Sequence, residues 1–281
     1  MSPDRRSSAT DIADGVPEKV RAAPRRILAI ETSSTACSVA LQDEQGIRVD
    51  HRIAPRAHAQ LLLPMIDALL AAASMRADTL DALAWGAGPG SFTGLRISAA
   101  VIQAMAWTND LPVIGCSSLE VLARSGLAAA RLAGTDPADV GSASDTPVSR
   151  VDGVLVLVDA RMGELYWNAF RRDGDDLLAL GPDALQRPEA MLEALAALPT
   201  GRWLLAGDGL PACVDDVLAR LDVMAALPDQ VPDARWLLPI AQRRLRAGQF
   251  GPAQSAVPVY LRDERAWRRL DDPPRPDSAT R

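Results

Sequence analysis

The strongest constraint on the fold of this chain is a unit that occurs twice. Residues 27–30 form a short apolar run. Glu31-Thr32-Ser33-Ser34-Thr35 makes a tight turn with a carboxylate at its start, and Cys37-Ser38-Val39-Ala40-Leu41 returns. Far along the chain, Val154-Leu155-Val156-Leu157-Val158 is the clearest buried strand, residues 159–163 turn around Asp159, and 164–170 return. Helical and strand segments follow each hairpin. No sequence repeat of fixed period accompanies this restart. The expected class is therefore α/β, with two lobes of related topology, each a mixed sheet with helices.

Between the units the pattern fills in. Gln45-Gly46 turns into a third strand over 47–53. Leu61, Leu62, Met65, Ile66, Leu69 and Leu70 follow the helical period and predict a helix over 58–75. Pro64 falls inside it, so the helix either begins near Leu63 with the proline in its first turn or is kinked there. A strand over 80–85, a glycine-rich loop over 86–94 and a helix over 95–107 come next. That helix is apolar or small on most sides and must be covered on most sides. A strand over 112–115 leads to Ser117 and Ser118, which cap a helix from Leu119. Residues 188–198 and 211–226 read as helices on either side of a strand over 203–206. A helix over 236–248 and an extended segment over 252–261 follow. The expected organisation is a disordered extension over 1–26, lobe I over 27–115, and lobe II over 116–250 with a flexible loop at 133–150. A C-terminal segment and polar tail over 251–281 complete it.

Composition narrows the chemistry. Of 30 basic residues Lys19 is the single lysine, so a Schiff base or a phosphate-binding lysine has one candidate, and it lies in the polar N-terminal stretch. His51 and His58 are the two histidines, which excludes a three-histidine metal site. Cys37, Cys116 and Cys213 are odd in number and lack a C-x-x-C pair, as buried reduced thiols would be. The net charge of −6 argues against a stand-alone grip on nucleic acid. No apolar run approaches the ~20 residues of a membrane helix, and the N-terminus lacks the apolar stretch of a signal peptide. The expected location is cytoplasmic.

The stretches that could carry chemistry each have a plain structural alternative. Gly88-Pro89-Gly90-Ser91-Phe92-Thr93-Gly94 precedes a helix, where backbone N–H groups and the helix dipole favour an anion. It is neither a Walker A loop nor a dinucleotide fingerprint, and a sharp strand-to-helix turn capped by Ser91 or Thr93 explains it as well. Thr32 and Ser33 stand at a strand end that could meet a phosphate, or simply make a turn. Arg161 is a candidate contact for a nucleotide, free or within a nucleic acid, or it pairs with Asp159. Gly207 and Gly209 around Asp208 form a lone G-x-G, weak as a nucleotide signal. His58 reads as a helix-start residue. The basic cluster Arg262, Arg265, Arg268 and Arg269 is interrupted by acids and reads as a solvated face.

Ile27-Leu-Ala-Ile-Glu-Thr-Ser33, Cys37-Ser-Val-Ala-Leu41, Ala87-Gly-Pro-Gly-Ser-Phe-Thr-Gly-Leu-Arg96, Val158-Asp-Ala-Arg-Met-Gly-Glu-Leu-Tyr166 and Pro258-Val-Tyr-Leu-Arg262 occur in this order. Together they resemble the TsaB (YeaZ) family, from about residue 27 to about residue 270. The resemblance implies a two-lobed, actin-like and sugar-kinase-like ATPase (ASKHA) fold. It implies a non-catalytic dimerisation subunit in the synthesis of N6-threonylcarbamoyladenosine at position 37 of tRNA. The implied partners are the catalytic paralogue TsaD, the ATPase TsaE and, through the complex, tRNA. A homodimer of the free chain stays open, as does an ATP or ADP at the junction with TsaD, while no cofactor is expected on the chain alone. TsaD carries a His-x-x-x-His metal pair; Ser118 and Leu122 stand at the matching positions here, and leucine cannot bind a metal. Asp159-Ala160-Arg161 replaces its Gly-Gly-His phosphate turn. No catalytic and no metal-binding residue is assigned.

In this family the first two long helices form the partner surface, which makes Leu61, Leu62, Met65, Leu69, Ile97, Ala100, Val101 and Ala104 the candidate interface. Two rival functions stand beside this one. An active ATPase or kinase of the same fold would need the missing phosphate-loop glycines. A peptidase would need a nucleophile–base set or a metal.

Overall fold

The structure, a computed structural model, describes residues 26–133 and 151–262. The expectations for 1–25, for the loop at 134–150 and for the tail from 263, including Arg265, Arg268 and Arg269, lie outside the described residues. Among the described residues no helix is long and apolar enough to cross a membrane.

The restart seen in the sequence is a restart of topology. The first sheet comprises β1 (Ile27–Glu31), β2 (Ala36–Asp43), β3 (Gly46–Ile53), β4 (Ala82–Gly88) and β5 (Val113–Ser117), in the order β3-β2-β1-β4-β5. The second contains β6 (Gly153–Arg161), β7 (Glu164–Asp173), β8 (Asp176–Ala179), β10 (Arg202–Ala206) and β11 (Asp222–Leu227), in the order β11-β10-β6-β7-β8. The short β9 (Ala184–Gln186) pairs with β7. In each sheet the first strand runs antiparallel to the second, and the second to the third. The first is parallel to the fourth, and the fourth to the fifth. β1 and β6 are thus equivalent central strands, which is why both read as unbroken apolar runs.

Alternation along those strands sends neighbouring side chains to opposite faces. Leu28 and Ile30 meet the helices α1 (His58–Ala72) and α2 (Phe92–Asn109). Ile27 and Ala29 meet α6 (Leu237–Arg246) through Leu237, Ile240 and Ala241. In the second sheet Val154 and Val156 pack with Leu119, Leu122 and Ala123 of α3 (Ser118–Ala133). Leu155 and Leu157 pack with Met191 of α4 (Pro188–Ala194) and Val217 of α5 (Val214–Leu218). Both sheets are therefore covered on both faces.

Several expectations need correction. The helix α1 starts at His58 with Pro64 inside it, one of the two placements expected, but ends at Ala72 rather than near Met75. Pro64 is exposed, as is Gln60 one turn earlier, whose carbonyl the proline cannot bond, so the interruption falls on the outer side of the helix. Residues 211–226 are not one helix: α5 is a single short turn, and β11 follows it, parallel to β10. The Ala- and Met-rich β11 has alternating exposure on the sheet edge, which reads as helix from composition. The lobe boundary also moves. The helix α6 and the turn Ala253–Ser255 pack on the first sheet, although they follow lobe II in the chain. The two early helices share one face with the turn Ala253–Ser255, and α6 covers the other.

Candidate functional site

The hairpin turns of the two lobes, the glycine loop and the C-terminal strap meet around a cleft of about 700 Å³. The floor is held by backbone approaches that allow no side chain. A Cβ at Gly90 would lie 2.7 Å from Ser33 Cβ, and one at Gly94 would run into the Thr32 carbonyl. Ser91 N–H donates to Ser33 O at 2.7 Å, and Gly94 N–H to Ser91 Oγ at 3.3 Å. The glycine loop is thus locked onto the β1–β2 turn, and Ser91 caps α2.

The predicted contact residues divide. Thr32 is buried and donates its hydroxyl to Gly94 O at 2.9 Å. Ser33 is buried, and its N–H goes to Glu31 Oε1 at 2.7 Å. Gly207 and Gly209 give their N–H groups to Leu227 O and Leu157 O. These four residues hold turns together. Arg161 alone reaches the cleft as an exposed side chain, at a backbone φ of +65°, and it pairs with Asp159 at 2.9 Å. Asp208 Oδ1 accepts the Asp159 N–H at 3.0 Å. His58 is a satisfied buried histidine, whose Nε2 donates to Ala36 O at 3.1 Å.

Beneath the floor lies Glu31, fully buried at the end of β1. Burial raises its carboxyl above the ordinary value, against the hydrogen bonds from Ser33 and Ser118 that favour the charge. Ser118 donates to Glu31 Oε2 at 3.1 Å, and Leu122 is buried in the second core. The two positions that would carry metal-binding histidines are thus occupied by a hydroxyl turned to Glu31 and a core leucine. Burial also raises Asp183; it accepts from Ser117 Oγ at 2.6 Å and Asn168 Nδ2 at 2.7 Å. Ser117 accepts the N–H groups of Leu119 and Glu120 at 3.2 Å each, so it serves as the cap of α3.

At the mouth of the cleft the structure assembles a group that the sequence reading did not assign. The Arg96 guanidinium lies 3.8 Å above the Phe92 ring and 5.9 Å from the Tyr260 ring. Its Nε donates to the Tyr260 hydroxyl at 3.1 Å. Arg262 of the same strap binds Glu164 and the Ala160 carbonyl, tying the strap to the β6–β7 turn. Arg56 stands on the cleft wall at a φ of +67°. Phe92, Arg96 and Tyr260 did stand inside the family-like motifs, but nothing in linear order brings residues 96 and 260 together.

The second candidate site is the outer face of α1 and α2. Leu62, Met65 and Leu69 are buried in their own lobe, which corrects their place in the interface set. Leu61, Ile97 and Val101 are half-buried along the seam between the helices, and Ala100 and Ala104 are exposed. Leu63 at 53% and Trp107 at 70% exposure, with Pro64 and Ala68, extend this apolar face. Periodicity finds the stripe on such a helix but not which edge of it faces inward.

Comparison with known proteins follows this geometry. The family model described as “TsaD: tRNA N6-adenosine threonylcarbamoyltransferase” matches residues 40–268. The “tRNA threonylcarbamoyladenosine biosynthesis protein TsaB” of Escherichia coli (strain K12) is 34% identical over 246 residues, 87% of this chain and 98% of that protein. The protein of the same name from Bacillus subtilis (strain 168) is 28% identical over 159 residues, 56% of this chain and 60% of that one. The solved structure of “YeaZ from Pseudomonas aeruginosa” superposes with a TM-score of 0.69 at 33% identity, covering 84% of this chain and all of that one. The two sheets of matching topology are the two lobes of the actin-like fold.

Proposed function

We propose a scaffold role from one premise, which is that this chain belongs to the TsaB family and takes part in tRNA N6-threonylcarbamoyladenosine biosynthesis. Within that pathway it acts as a non-catalytic subunit that pairs with TsaD and activates it. The observation that carries this reading is the apolar outer face of α1 and α2. Leu61, Pro64 and Ala68 on one helix, and Ile97, Ala100, Val101 and Ala104 on the other, stand at helical spacing. An exposed apolar face of this kind marks an interaction surface, and its alanines let a partner helix approach closely.

The chemistry of the cleft supports a supporting role. Two floor N–H groups of the glycine loop are already bonded within the chain, that of Ser91 to Ser33 O and that of Gly94 to Ser91 Oγ. Leu122 cannot ligate a metal, and the Ser118 hydroxyl is turned to Glu31 Oε2 at 3.1 Å. Transfer of the threonylcarbamoyl group belongs in this reading to TsaD, with TsaE as the third subunit, and an ATP or ADP at the junction would be held jointly.

Light scattering on size-exclusion fractions tests the pairing, with the chain alone and then mixed with TsaD from the same organism. A one-to-one heterodimer is expected, lost on Ala104→Arg and Ala100→Asp. Both positions are exposed, so the variants keep the fold, which circular dichroism checks. No complex under any nucleotide condition, or a complex indifferent to both substitutions, overturns the reading. Mg²⁺-dependent ATP turnover by the chain alone would favour the kinase-like alternative.

A further inference from the structure

The mouth of the cleft carries a planar, cationic surface with no assigned task. Phe92, 47% exposed, and Tyr260 have ring centroids 5.4 Å apart at 43°, and the Arg96 guanidinium plane lies over the first ring. Among the described residues Arg96 and Arg56 make no ion pair with a carboxylate. Arg161 and Arg262 on the other wall do, with Asp159 and Glu164. The 18-residue α2 opens here, with no acidic residue in its first turn, so its dipole adds to the positive field. The two carboxylates that line the cleft, Asp159 and Asp208, are already engaged with Arg161 and with the Asp159 N–H.

Resting on the tRNA-directed function proposed above, we infer that this mouth binds an unpaired nucleotide of an RNA strand. The base lies against Phe92 and Tyr260, and its phosphate meets Arg96 and Arg56. Single-stranded RNA is held by stacking on aromatic rings and guanidinium planes, with arginines tracking the backbone. The surface lies at the rim, where a strand can enter and leave. Two of the glycine-loop N–H groups that could anchor the polyphosphate of a free nucleotide, those of Ser91 and Gly94, are spent on Ser33 and Ser91. The chain's charge of −6 disfavours a wider electrostatic grip, so the contact is local and adds to what the partner subunits supply.

The test is tRNA binding by the assembled complex with TsaD and TsaE, measured by fluorescence anisotropy across a salt series on an unmodified transcript. Tyr260→Leu is expected to weaken binding roughly tenfold with no change in salt slope, because stacking releases no counterions. Tyr260→Phe keeps the ring and restores the affinity. Arg96→Gln and Arg56→Gln combined in one variant lower the slope of log K against log salt by about 0.7, the value for one phosphate on a single strand. Unchanged affinity and slope in complexes that assemble overturn the inference. So does loss of the heterodimer itself in these variants, which would assign the residues to the subunit seam. Displacement of the tRNA contact by AMP or ATP would make it a free-nucleotide site and also overturn it. Should the unaltered chain form no complex with TsaD, the partner reading fails, and the same titrations on the chain alone decide the RNA contact.

Discussion

Gly86→Ala is the most informative single change in this molecule. Gly86 lies in β4 beside the β1 strand end that carries Glu31. A Cβ there would lie 2.6 Å from Glu31 Cδ and 2.8 Å from Oε1, and closer still to Oε2. The carboxyl has nowhere to retreat: it is fully buried, with its oxygens bonded to Ser33 N–H at 2.7 Å and Ser118 Oγ at 3.1 Å. Displacing it leaves two buried groups without partners, at ~1–3 kcal/mol each. The strain of an extra methyl in a packed core adds ~1–3 kcal/mol. The expected destabilisation is on the order of 4 kcal/mol or more, a large share of the ~5–15 kcal/mol that holds a domain together. Urea unfolding reads it, and a double-mutant cycle isolates its cause. Glu31→Ala alone is destabilising, because Ser33 N–H and Ser118 lose their acceptor. In that background Gly86→Ala meets no carboxyl, and its additional cost falls below ~1 kcal/mol. Equal costs in both backgrounds, or a cost below ~1 kcal/mol in the native chain, would refute the reasoning.

The same carboxyl sets a pH dependence. Burial holds Glu31 above its ordinary value when folded, so the folded chain binds this proton more tightly than the unfolded one. Its contribution is therefore greatest at low pH and is lost as pH rises through the folded value. Glu31→Gln is expected to gain stability relative to the native chain as pH rises from about 4.5 toward neutrality in urea titrations; a constant difference would count against the burial argument. Asp176 has the opposite sign. Burial pushes it up, but Arg124 and Arg243 outweigh this and bring it to about 2. Its stabilisation is present above the ordinary aspartate value and is lost as pH falls toward 2. Because the side chain is 38% exposed, Asp176→Asn should remove only about 1 kcal/mol. Arg124→Met should cost more, ~3–5 kcal/mol, since Arg124 and Glu120 are both buried and bonded at 3.0 Å, and thermal melts rank the two variants.

The parts of this molecule that were legible in its sequence are those whose surroundings are uniform. β1 and β6 are buried on both faces, so their residues alone announce strands, and the repeated hairpin announced the repeated topology. Ser117 bonds groups two and three residues ahead, a local event that local sequence encodes. What escaped depends on distant chain. The cover that α6 gives to the first sheet is a choice among faces which periodicity does not make. The stacking of Arg96 on Phe92 becomes a site only when Tyr260, 164 residues later, closes it. The apolar face of α1 and α2 shows the limit most clearly. A wide stripe tells how much surface must be covered, and its largest side chains draw the eye; yet Leu62, Met65 and Leu69 satisfy the helices' own lobe. A core takes the bulky residues first, because they gain most from leaving water. What remains outward is the flank of the stripe: alanines at 68, 100 and 104, a proline, one leucine at 63, and one unburied tryptophan. On a helix that already has a core, the small apolar residues are therefore the better witnesses of a second partner.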